Sequence, residues 1–351
     1  MSDSKSLRGA APRSALAILL FAPLLLTACG GGGGGGDGAS AAPDSSTAVQ
    51  LGITDANGQA VAAEALAVAQ QGAATAQFGG TLATAAQVDA AGIVAGPVGL
   101  GAVALRLLAM TPQVPAMATG VTETLTEPCS GGGTATLTAT GSGGSAAVVG
   151  DSLTVSANNC IETIDGAQTR LHGALTLGVI AGSYDPASQV FPKDVTLGMR
   201  AENFSLNSVA LNGTLTLRLV YTTAPSDSFT LTSPSLSWTQ ATATGSHSVT
   251  VANYSHHAER NSVSVRTTTV SGTVTTNSPR INAGIVSFDF STPTPIVSDF
   301  RGVISAGSLR IAGRSSALLL TTTANDTFSL QVDTNGDGTF DSTRSVLRNQ
   351  L

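Results

Sequence analysis

The sequence has few charged and few aromatic residues, and these shortages exclude several classes of protein. Charged residues make up 11% of the 351 residues and aromatic residues 4%, with a single tryptophan. The formal net charge is −6, and only 16 residues are Lys or Arg. Nucleic-acid binding depends on clustered cations that neutralise phosphates, so this composition predicts no nucleic-acid partner. One tryptophan also gives no aromatic platform on which sugars or bases could stack.

The first 28 residues have the pattern of a signal peptide. Lys5, Arg8 and Arg13 precede an apolar run from Ala15 to Leu26, and small residues follow it. The run has about 12 residues, whereas a helix needs roughly 20 to cross the hydrocarbon core, which argues against the alternative of an N-terminal anchor helix. We therefore interpret residues 1–28 as a segment that is cleaved after export.

The four residues Leu-Thr-Ala-Cys that end at Cys29 resemble the lipobox of bacterial lipoproteins. In that family the cysteine is diacylated, the signal is cleaved before it, and the new N-terminus is usually acylated as well. Two or more acyl chains anchor a protein stably. The inner-membrane retention signal of the family is typically an Asp after the cysteine, and this chain has Gly30. The resemblance implies lipid attachment at Cys29 and location at the bacterial outer membrane, with the side it faces left open.

Residues 29–50 are predicted to form a flexible tether behind the lipid. Seven glycines, Gly30–Gly36, are followed by small residues and Pro43, a composition that cannot pack. About 19 such residues have an r.m.s. reach of roughly 24 Å, so the folded part would stand near the lipid surface. Without residues 1–28 the chain keeps 13 basic and 21 acidic residues, a formal charge of −8, which gives little attraction to anionic lipid.

With Cys29 assigned to lipid, two cysteines remain, Cys129 and Cys160. An even pair in an exported chain predicts one disulfide. Closing a loop of about 31 residues would stabilise the fold by roughly 3–4 kcal/mol on the chain-entropy account. A reactive cysteine nucleophile is the alternative, but the sequence places no acid–base partner beside either residue.

Residues 51–120 are rich in alanine and are predicted to be helical. Thr54–Asp55 can cap a helix through Ala60–Ala69 that ends at Gly72. A second helix is predicted at 98–110 and is apolar nearly all round, so we expect it to be buried against the following domain. A second membrane segment is the alternative there, although its Gly, Pro and Arg content argues against it.

Residues 121–351 show the period-two alternation of β-strands. Segments bounded by Gly, Asn, Asp or Pro alternate apolar with polar residues, and no helical pattern intervenes. They include 134–140, 152–156, 195–199, 228–232 and 262–266. The predicted fold class is mainly β, an antiparallel meander, sandwich or open barrel, with the short Ala-rich helical segment before it.

One short pattern recurs within the β region: an apolar residue, any residue, Gly, any residue, an apolar residue and Thr. It occurs at Leu171–Leu177, Leu211–Leu217 and Val270–Thr275. The spacing is too uneven for a solenoid, so we interpret the copies as equivalent strands whose glycines permit a bulge or a tight turn. Chance recurrence in a chain rich in Gly, Thr and Leu is the alternative.

The segment 333–341 is the candidate metal site. Calcium takes six to eight hard oxygen ligands, and Asp-x-Asn-x-Asp-Gly supplies them at alternate positions with a glycine for the sharp turn. The predicted calcium ligands are Asp333, Asn335, Asp337, Thr339 through its carbonyl, and Asp341. An EF-hand has a bidentate Glu at position twelve, where this chain has Arg344. The alternative is a plain β-hairpin turn, because Asn-Gly and Asp-Gly are strong hairpin signals.

No catalytic motif is evident in the chain. It has no Gly-x-Ser-x-Gly elbow, no His-Glu-x-x-His, no Ser-x-x-Lys followed by the other penicillin-recognition motifs, and no dinucleotide fingerprint between a strand and a helix. The adjacent His256 and His257 would point to opposite faces of a strand, so they cannot easily bind one ion. We interpret this pair as part of a surface loop or strand edge, and we predict that the protein is not an enzyme.

The region from Pro128 to Gly173 is similar to a module of uncharacterised proteobacterial lipoproteins. The shared pattern is Cys-x-Gly-Gly, strands, Gly-Asp and Asn-Cys, here at Cys129–Gly132, Gly150–Asp151 and Asn159–Cys160. The C-terminal Asp-x-Asn-x-Asp-Gly segment also looks like the end of those proteins. The resemblance implies an uncharacterised envelope lipoprotein and carries no catalytic residues.

These signals predict a non-enzymatic, lipid-anchored envelope protein whose β domain is a binding or structural module. A carrier of lipid or lipoprotein, in which a half-open β-barrel shelters an acyl chain, is the alternative, and an envelope hydrolase is a more remote one. The expected partners are the membrane, through the lipid, and an envelope protein or a lipid ligand.

Overall fold

The structure is a computed structural model, and it describes residues 48–81, 121–142, 147–164, 167–184, 194–207, 209–221, 227–242, 245–261, 265–299 and 302–351. Within these ranges one α-helix, α1, spans Gly58–Thr81. The strands are β1 Val49–Gln50, β2 Val121–Pro128, β3 Thr134–Gly141, β4 Ala147–Val148, β5 Ser152–Ile164, β6 Ala167–Tyr184, β7 Asp194–Leu206, β8 Val209–Tyr221, β9 Asp227–Thr242, β10 Gly245–Asn261, β11 Val265–Asn277, β12 Val286–Ser298, β13 Ile304–Gly313, β14 Ser316–Ala324, β15 Thr327–Asp333 and β16 Ser342–Leu347. A short 3-10 helix, Arg348–Gln350, follows β16.

Fourteen of these strands form one large, open antiparallel sheet in nearly sequential order. The order is β16-β15-β14-β13-β12-β11-β10-β9-β8-β7-β6-β5-β3-β2. Outside this path, β4 pairs with the end of β6, and β1 pairs in parallel with the start of β12. The predicted mainly β class is confirmed, and the sheet is a meander because nearly every strand pairs with the strand that follows it.

The period-two pattern gives the sheet an apolar face and a hydroxyl-rich face, which we call the inner and outer faces. Along β6, Leu175, Leu177 and Val179 are buried on the inner face, while Thr176 lies on the outer face. The inner face continues through large, fully buried leucines on neighbouring strands: Leu197, Leu215, Leu217, Leu231 and Leu236. On the outer face of β2 and β3, three opposed threonine pairs have their Oγ1 atoms 3.1, 3.4 and 3.0 Å apart.

The recurring glycine pattern coincides with β-bulges. Gly173 has φ +87° and Gly213 has φ +123°, and the ladder shifts register at each of them. A Cβ on Gly173 would lie 2.0 Å from the carbonyl oxygen of Asn203 on β7, so a larger residue would clash. Asn203 has φ +48°, a conformation that asparagine adopts more readily than most residues. These bulges agree with the interpretation of the copies as equivalent strands.

The helix α1 packs against the inner face over the C-terminal half of the sheet. It contacts β10, β11, β13 and β14, and Val61, Ala62 and Ala65 are fully buried there. The predicted helix is confirmed, but its predicted end at Gly72 is wrong because α1 continues to Thr81. Each glycine costs a helix only about 1 kcal/mol relative to alanine, and α1 continues through Gly72, Gly79 and Gly80 with alanines, the best helix formers, among them.

A turn before α1 sets where the helix begins. The Thr54 N–H donates to Asn57 Oδ1 at 2.8 Å, and the Gly58 N–H donates to the Thr54 carbonyl at 2.8 Å. Asp55 was expected to help cap the helix, and it instead accepts a hydrogen bond from the hydroxyl of Ser342 on β16. The side chain of Asp55 therefore ties the turn to the last strand of the sheet.

The predicted disulfide between Cys129 and Cys160 is present, with a Cα–Cα distance of 5.4 Å. It joins the turn after β2 to β5, two strands that are separated in the sheet by β3. Beside it, the Gly131 N–H donates to the Ile161 carbonyl at 2.7 Å, and the Ile161 N–H donates to the Gly132 carbonyl at 2.8 Å. The disulfide thus fastens the end of the sheet to its third strand.

Several predictions concern residues outside the described ranges. These are the lipid attachment at Cys29, the glycine run of the tether and the helix at 98–110. They stay predictions from the sequence, as do the domain boundaries drawn from them.

Candidate functional site

A buried acid–histidine cluster joins α1 to the sheet. Glu64 on α1 is 4% exposed, and its Oε1 lies 2.7 Å from Nε2 of His247 on β10. The hydroxyl of Ser278 donates to Glu64 Oε2 at 3.0 Å, and the hydroxyl of Thr276 lies 3.3 Å from Oε1. Both carboxylate oxygens are therefore paired although the side chain is buried.

These partners keep the Glu64 carboxylate ionised. Burial acts to raise the pKa of Glu64, but the hydrogen bond and charge of His247, with the hydroxyls of Ser278 and Thr276, outweigh it, so the pKa lies below its ordinary value. A buried charge persists only when it is paired and hydrogen-bonded. The cluster therefore fixes the position of α1 over β10 and β11, because a slide of the helix would leave the carboxylate unpaired.

The connectivity of this cluster differs from that of a nucleophilic hydrolase. In a catalytic triad one ring nitrogen of the histidine faces the nucleophile and the other faces the carboxylate. Here Glu64 Oε1 and Thr276 Oγ1 both approach Nε2 of His247, at 2.7 and 3.4 Å. The Ser278 hydroxyl donates to the carboxylate rather than to the ring. The arrangement is suited to hold α1 in place rather than to activate a hydroxyl.

A second histidine is buried on the inner face. His256 is 0% exposed, and neither of its ring nitrogens has a partner among the described residues. Its ring stacks on Phe229 with centroids 5.1 Å apart and lies 6.5 Å from the ring of Tyr254. Burial, with a smaller contribution from the charge of Arg266, lowers the pKa of His256 to about 3, so the ring is neutral at ordinary pH. Unpaired polar atoms in apolar surroundings are costly, which makes this position a candidate ligand contact.

The neighbouring His257 points to the outer face. Its Nδ1 lies 2.9 Å from the Thr230 hydroxyl, and its Nε2 lies 3.0 Å from Glu259 Oε1. The prediction that His256 and His257 point to opposite faces is confirmed. The interpretation of a surface loop or strand edge is wrong, because both residues lie within β10, which is paired on both sides by β9 and β11.

The predicted metal-binding segment forms the turn between β15 and β16. Asp333 is 3% exposed, and both of its carboxylate oxygens accept backbone hydrogen bonds. Oδ1 accepts the N–H groups of Asn335 at 3.3 Å and Gly336 at 2.6 Å, and Oδ2 accepts the N–H of Gly338 at 3.0 Å. The Asp333 side chain therefore holds the turn together by accepting hydrogen bonds from the backbone of the turn.

The other predicted ligands are also bonded within this turn. Asn335 Oδ1 accepts the Asp337 N–H at 2.8 Å, and Asp337 Oδ1 accepts the Thr339 N–H at 2.7 Å. Asp341 Oδ2 accepts the hydroxyl and the N–H of Thr334, which hold the pKa of Asp341 below its ordinary value. Across the described ranges, no group of three or more His, Cys, Asp or Glu is arranged to hold a metal ion. Calcium binding by this turn stays a prediction from the sequence.

Sequence reasoning missed the cluster around Glu64. His247 is 183 residues away from Glu64 in the chain, and neither residue belongs to a motif. The available signal was a single acidic residue within an alanine-rich helix, because an acid on a buried face requires a partner.

No protein-family model, curated protein or solved structure matches this chain. Of the described residues, none lie in a helix with the length and apolar character needed to cross a membrane.

Proposed function

We propose that this chain is a lipid-anchored protein of the bacterial outer membrane whose β-sheet is a non-enzymatic binding or structural module. The observation that carries the proposal is the continuous antiparallel sheet with chemically distinct inner and outer faces. The disulfide Cys129–Cys160 supports export to an oxidising compartment. The hydrogen bonds of the Glu64 cluster are connected differently from those of a catalytic triad, and this difference supports a role without catalysis.

Substitution of Cys29 tests the anchor. The parent chain should incorporate a clickable palmitate analogue and stay in the membrane fraction, whereas Cys29→Ser should be unlabelled and soluble. The combination Cys29→Ser with Ser40→Cys is the matched control, because it moves a cysteine to the same segment outside the lipobox. Labelling of either variant would refute attachment at Cys29. Protease treatment of intact cells then distinguishes a surface-facing protein from a periplasmic one.

A carrier of amphiphilic lipid is a second candidate function, and His256 favours it. A neutral imidazole whose two nitrogens have no partner in the described part of the chain, set among Phe229, Leu231 and Tyr254, suits a ligand with an apolar body and one hydroxyl or carboxyl group. Native mass spectrometry of the detergent-extracted full chain tests this. A bound lipid should be present in the parent and in His257→Leu, the outer-face control, and absent from His256→Leu. A parent without bound lipid would end the carrier hypothesis.

A further inference from the structure

The two ends of the sheet carry open edges of opposite charge. In the described part of the chain the sheet ends at β2 on one side and at β16 on the other, and no described strand pairs with the outward side of either. β2 carries Glu123 and Glu127, and β16 carries Arg344. Exposed apolar side chains lie at both edges, Leu125 on β2 at 49% and Leu347 on β16 at 48%. Open edges of this kind are templates for strand pairing.

We propose that β16 of one copy of this chain pairs with β2 of a second copy, head to tail and antiparallel. Strand direction permits this contact, because the sheet has fourteen alternating strands and β2 therefore runs opposite to β16. The β16 strand of a second copy would continue the alternation beyond β2. This goes beyond the proposed function, since it identifies a second copy of the chain as a partner.

The backbone of β2 leaves its even-numbered residues available. The Cys129 N–H donates to the Gly133 carbonyl at 3.1 Å, in line with the β2–β3 register. Hydrogen-bonded positions alternate along an antiparallel strand, so the odd-numbered residues of β2 bond to β3. Thr124 and Thr126 consequently point their N–H and C=O groups away from the sheet.

The odd-numbered residues of β16 point their backbone N–H and C=O groups away from β15. The Arg348 N–H donates to the Asp326 carbonyl at 2.9 Å, in line with the β15–β16 register, so the even-numbered residues bond towards β15. The Leu347 N–H points the other way and donates to Gln350 Oε1 at 2.7 Å. Ser345 therefore also presents its N–H and C=O groups outward.

One register matches the backbone, the apolar positions and the charges together. When Leu125 lies opposite Val346, Glu127 lies opposite Arg344. All four side chains lie on the inner face, because directly paired residues share a face and their partners on β3 and β15 lie on the inner face. Glu127 and Arg344 are both exposed, and neither has an ion-pair partner among the described residues. The contact would continue the apolar face from one copy to the next with an ion pair beside it.

The same charges disfavour the two other edge contacts. β2 against β2 would bring glutamates together, and β16 against β16 would bring arginines together, so repulsion selects the head-to-tail contact. A head-to-tail contact is heterologous and produces a ring if it closes or an open chain if it does not. The strands have only 8 and 6 residues, so the interface is small and the association is favoured by a high local concentration of copies.

Engineered disulfides test the pairing and its register. In the proposed register Thr126 lies opposite Ser345 as a hydrogen-bonded pair, with a Cα–Cα distance of about 5.5 Å that suits a disulfide. The full chain with Thr126→Cys and Ser345→Cys should form reducible oligomers on a non-reducing gel after mild oxidation. Thr124→Cys with Ser345→Cys is the matched control, two residues out of register, and should cross-link much less. Both threonines and Ser345 are exposed, so the fold should tolerate these changes.

Several outcomes would overturn the proposal. These are a chain that stays monomeric, a disulfide formed within one chain, and equal cross-linking by the out-of-register pair or by either single variant. Charge reversal adds a second readout in the cross-linking background. Glu127→Arg and Arg344→Glu should each reduce the oligomers several-fold, and the two together should restore them. If the double variant does not recover the oligomers, Glu127 and Arg344 do not form an ion pair in the contact, and this register is refuted.

Discussion

Two histidines on the inner face show how individual residues set the chemistry of this sheet. His247 is held by the carboxylate of Glu64, and His256 lies among aromatic and aliphatic neighbours with its nitrogens unpaired among the described residues. The first residue joins α1 to the sheet, whereas the second is destabilising unless a ligand meets it. The two positions therefore respond differently to pH and to substitution.

Replacing His256 with leucine should stabilise the protein and flatten its acid sensitivity. The pKa of His256 is about 3 in the fold against an ordinary 6.5, so between these values the unfolded chain binds a proton that the folded chain does not. The free energy of unfolding therefore decreases as the pH is lowered from 6.5 to about 3, by about 1.4 kcal/mol per pH unit for this one group. His256→Leu should raise the free energy of unfolding at pH 7 by about 1–3 kcal/mol and remove this part of the slope.

Urea unfolding of parent and His256→Leu at pH 7 and pH 5 measures both effects. The difference between the two proteins should be larger at pH 5. A variant that is less stable than the parent at pH 7 would contradict the expectation and would indicate that a ligand satisfies the imidazole.

Replacing Glu64 with glutamine should weaken the attachment of α1. The variant keeps the size of the side chain but loses the charge that pairs with His247, and the expected loss is about 2 kcal/mol. Because the pKa of Glu64 lies below its ordinary value of 4.5, the contribution of the carboxylate is present above pH 4.5 and is lost as the pH falls through the folded-state pKa. Glu259→Gln is the matched control, since Glu259 bonds to His257 at 3.0 Å on the exposed outer face, where such pairs contribute little. Equal losses in the two variants, measured by urea unfolding, would contradict this role for Glu64.

Among the structural elements, the first strands of the sheet depend on the disulfide. Cys129→Ser with Cys160→Ser should lower the free energy of unfolding by roughly 3–4 kcal/mol, because the unfolded chain regains the freedom of a loop of about 31 residues. Denaturant unfolding measures the loss, and the parent under reducing conditions should match the variant. A parent whose stability is insensitive to reductant would contradict the prediction.

The β15–β16 turn gives a test of the calcium prediction. The carboxylates of Asp333 and Asp337 already accept backbone N–H groups, which use part of their lone-pair capacity, so binding should be weak. Calorimetric titration of the full chain with calcium should give heat that Asp337→Ala abolishes, with Asp289→Ala as a control on an exposed strand position. If calcium produces no heat with the parent chain, the calcium prediction is wrong and the segment is a plain hairpin turn.

The elements whose pattern is local could be predicted from the sequence, and those that depend on distant partners could not. The alternation at 134–140 and 195–199 indicated β3 and β7, and the glycines at 173 and 213 indicated bulges, because period and backbone freedom are properties of a few consecutive residues. The cluster of Glu64 with His247 joins residues 183 apart, so no local pattern encodes it. The end of α1 at Thr81 was missed because the helix propensity of the alanines outweighed the glycine at 72.

For the molecule as a whole, the open sheet predicts a gradient of stability across its strands. β2 and β16 have a described neighbour on only one side, whereas β10 is paired on both sides and covered by α1. Hydrogen exchange followed by mass spectrometry should therefore show the fastest exchange in β2 and β16 and the slowest in β9–β11. Higher protein concentration should protect β2 and β16 selectively if copies pair through them. Uniform exchange across the strands would contradict the gradient.

The parallel strand β1 determines how mechanical force would enter the fold. The Val49 N–H donates to the Ile285 carbonyl, the Leu51 N–H donates to the Ser287 carbonyl, and the Leu51 carbonyl accepts the Arg314 N–H. A pull along this strand loads the three hydrogen bonds in shear, so they resist together instead of opening one after another. Tension on the N-terminal segment would then pass into the interior strand β12, and the open edges at β2 and β16 would carry little of it.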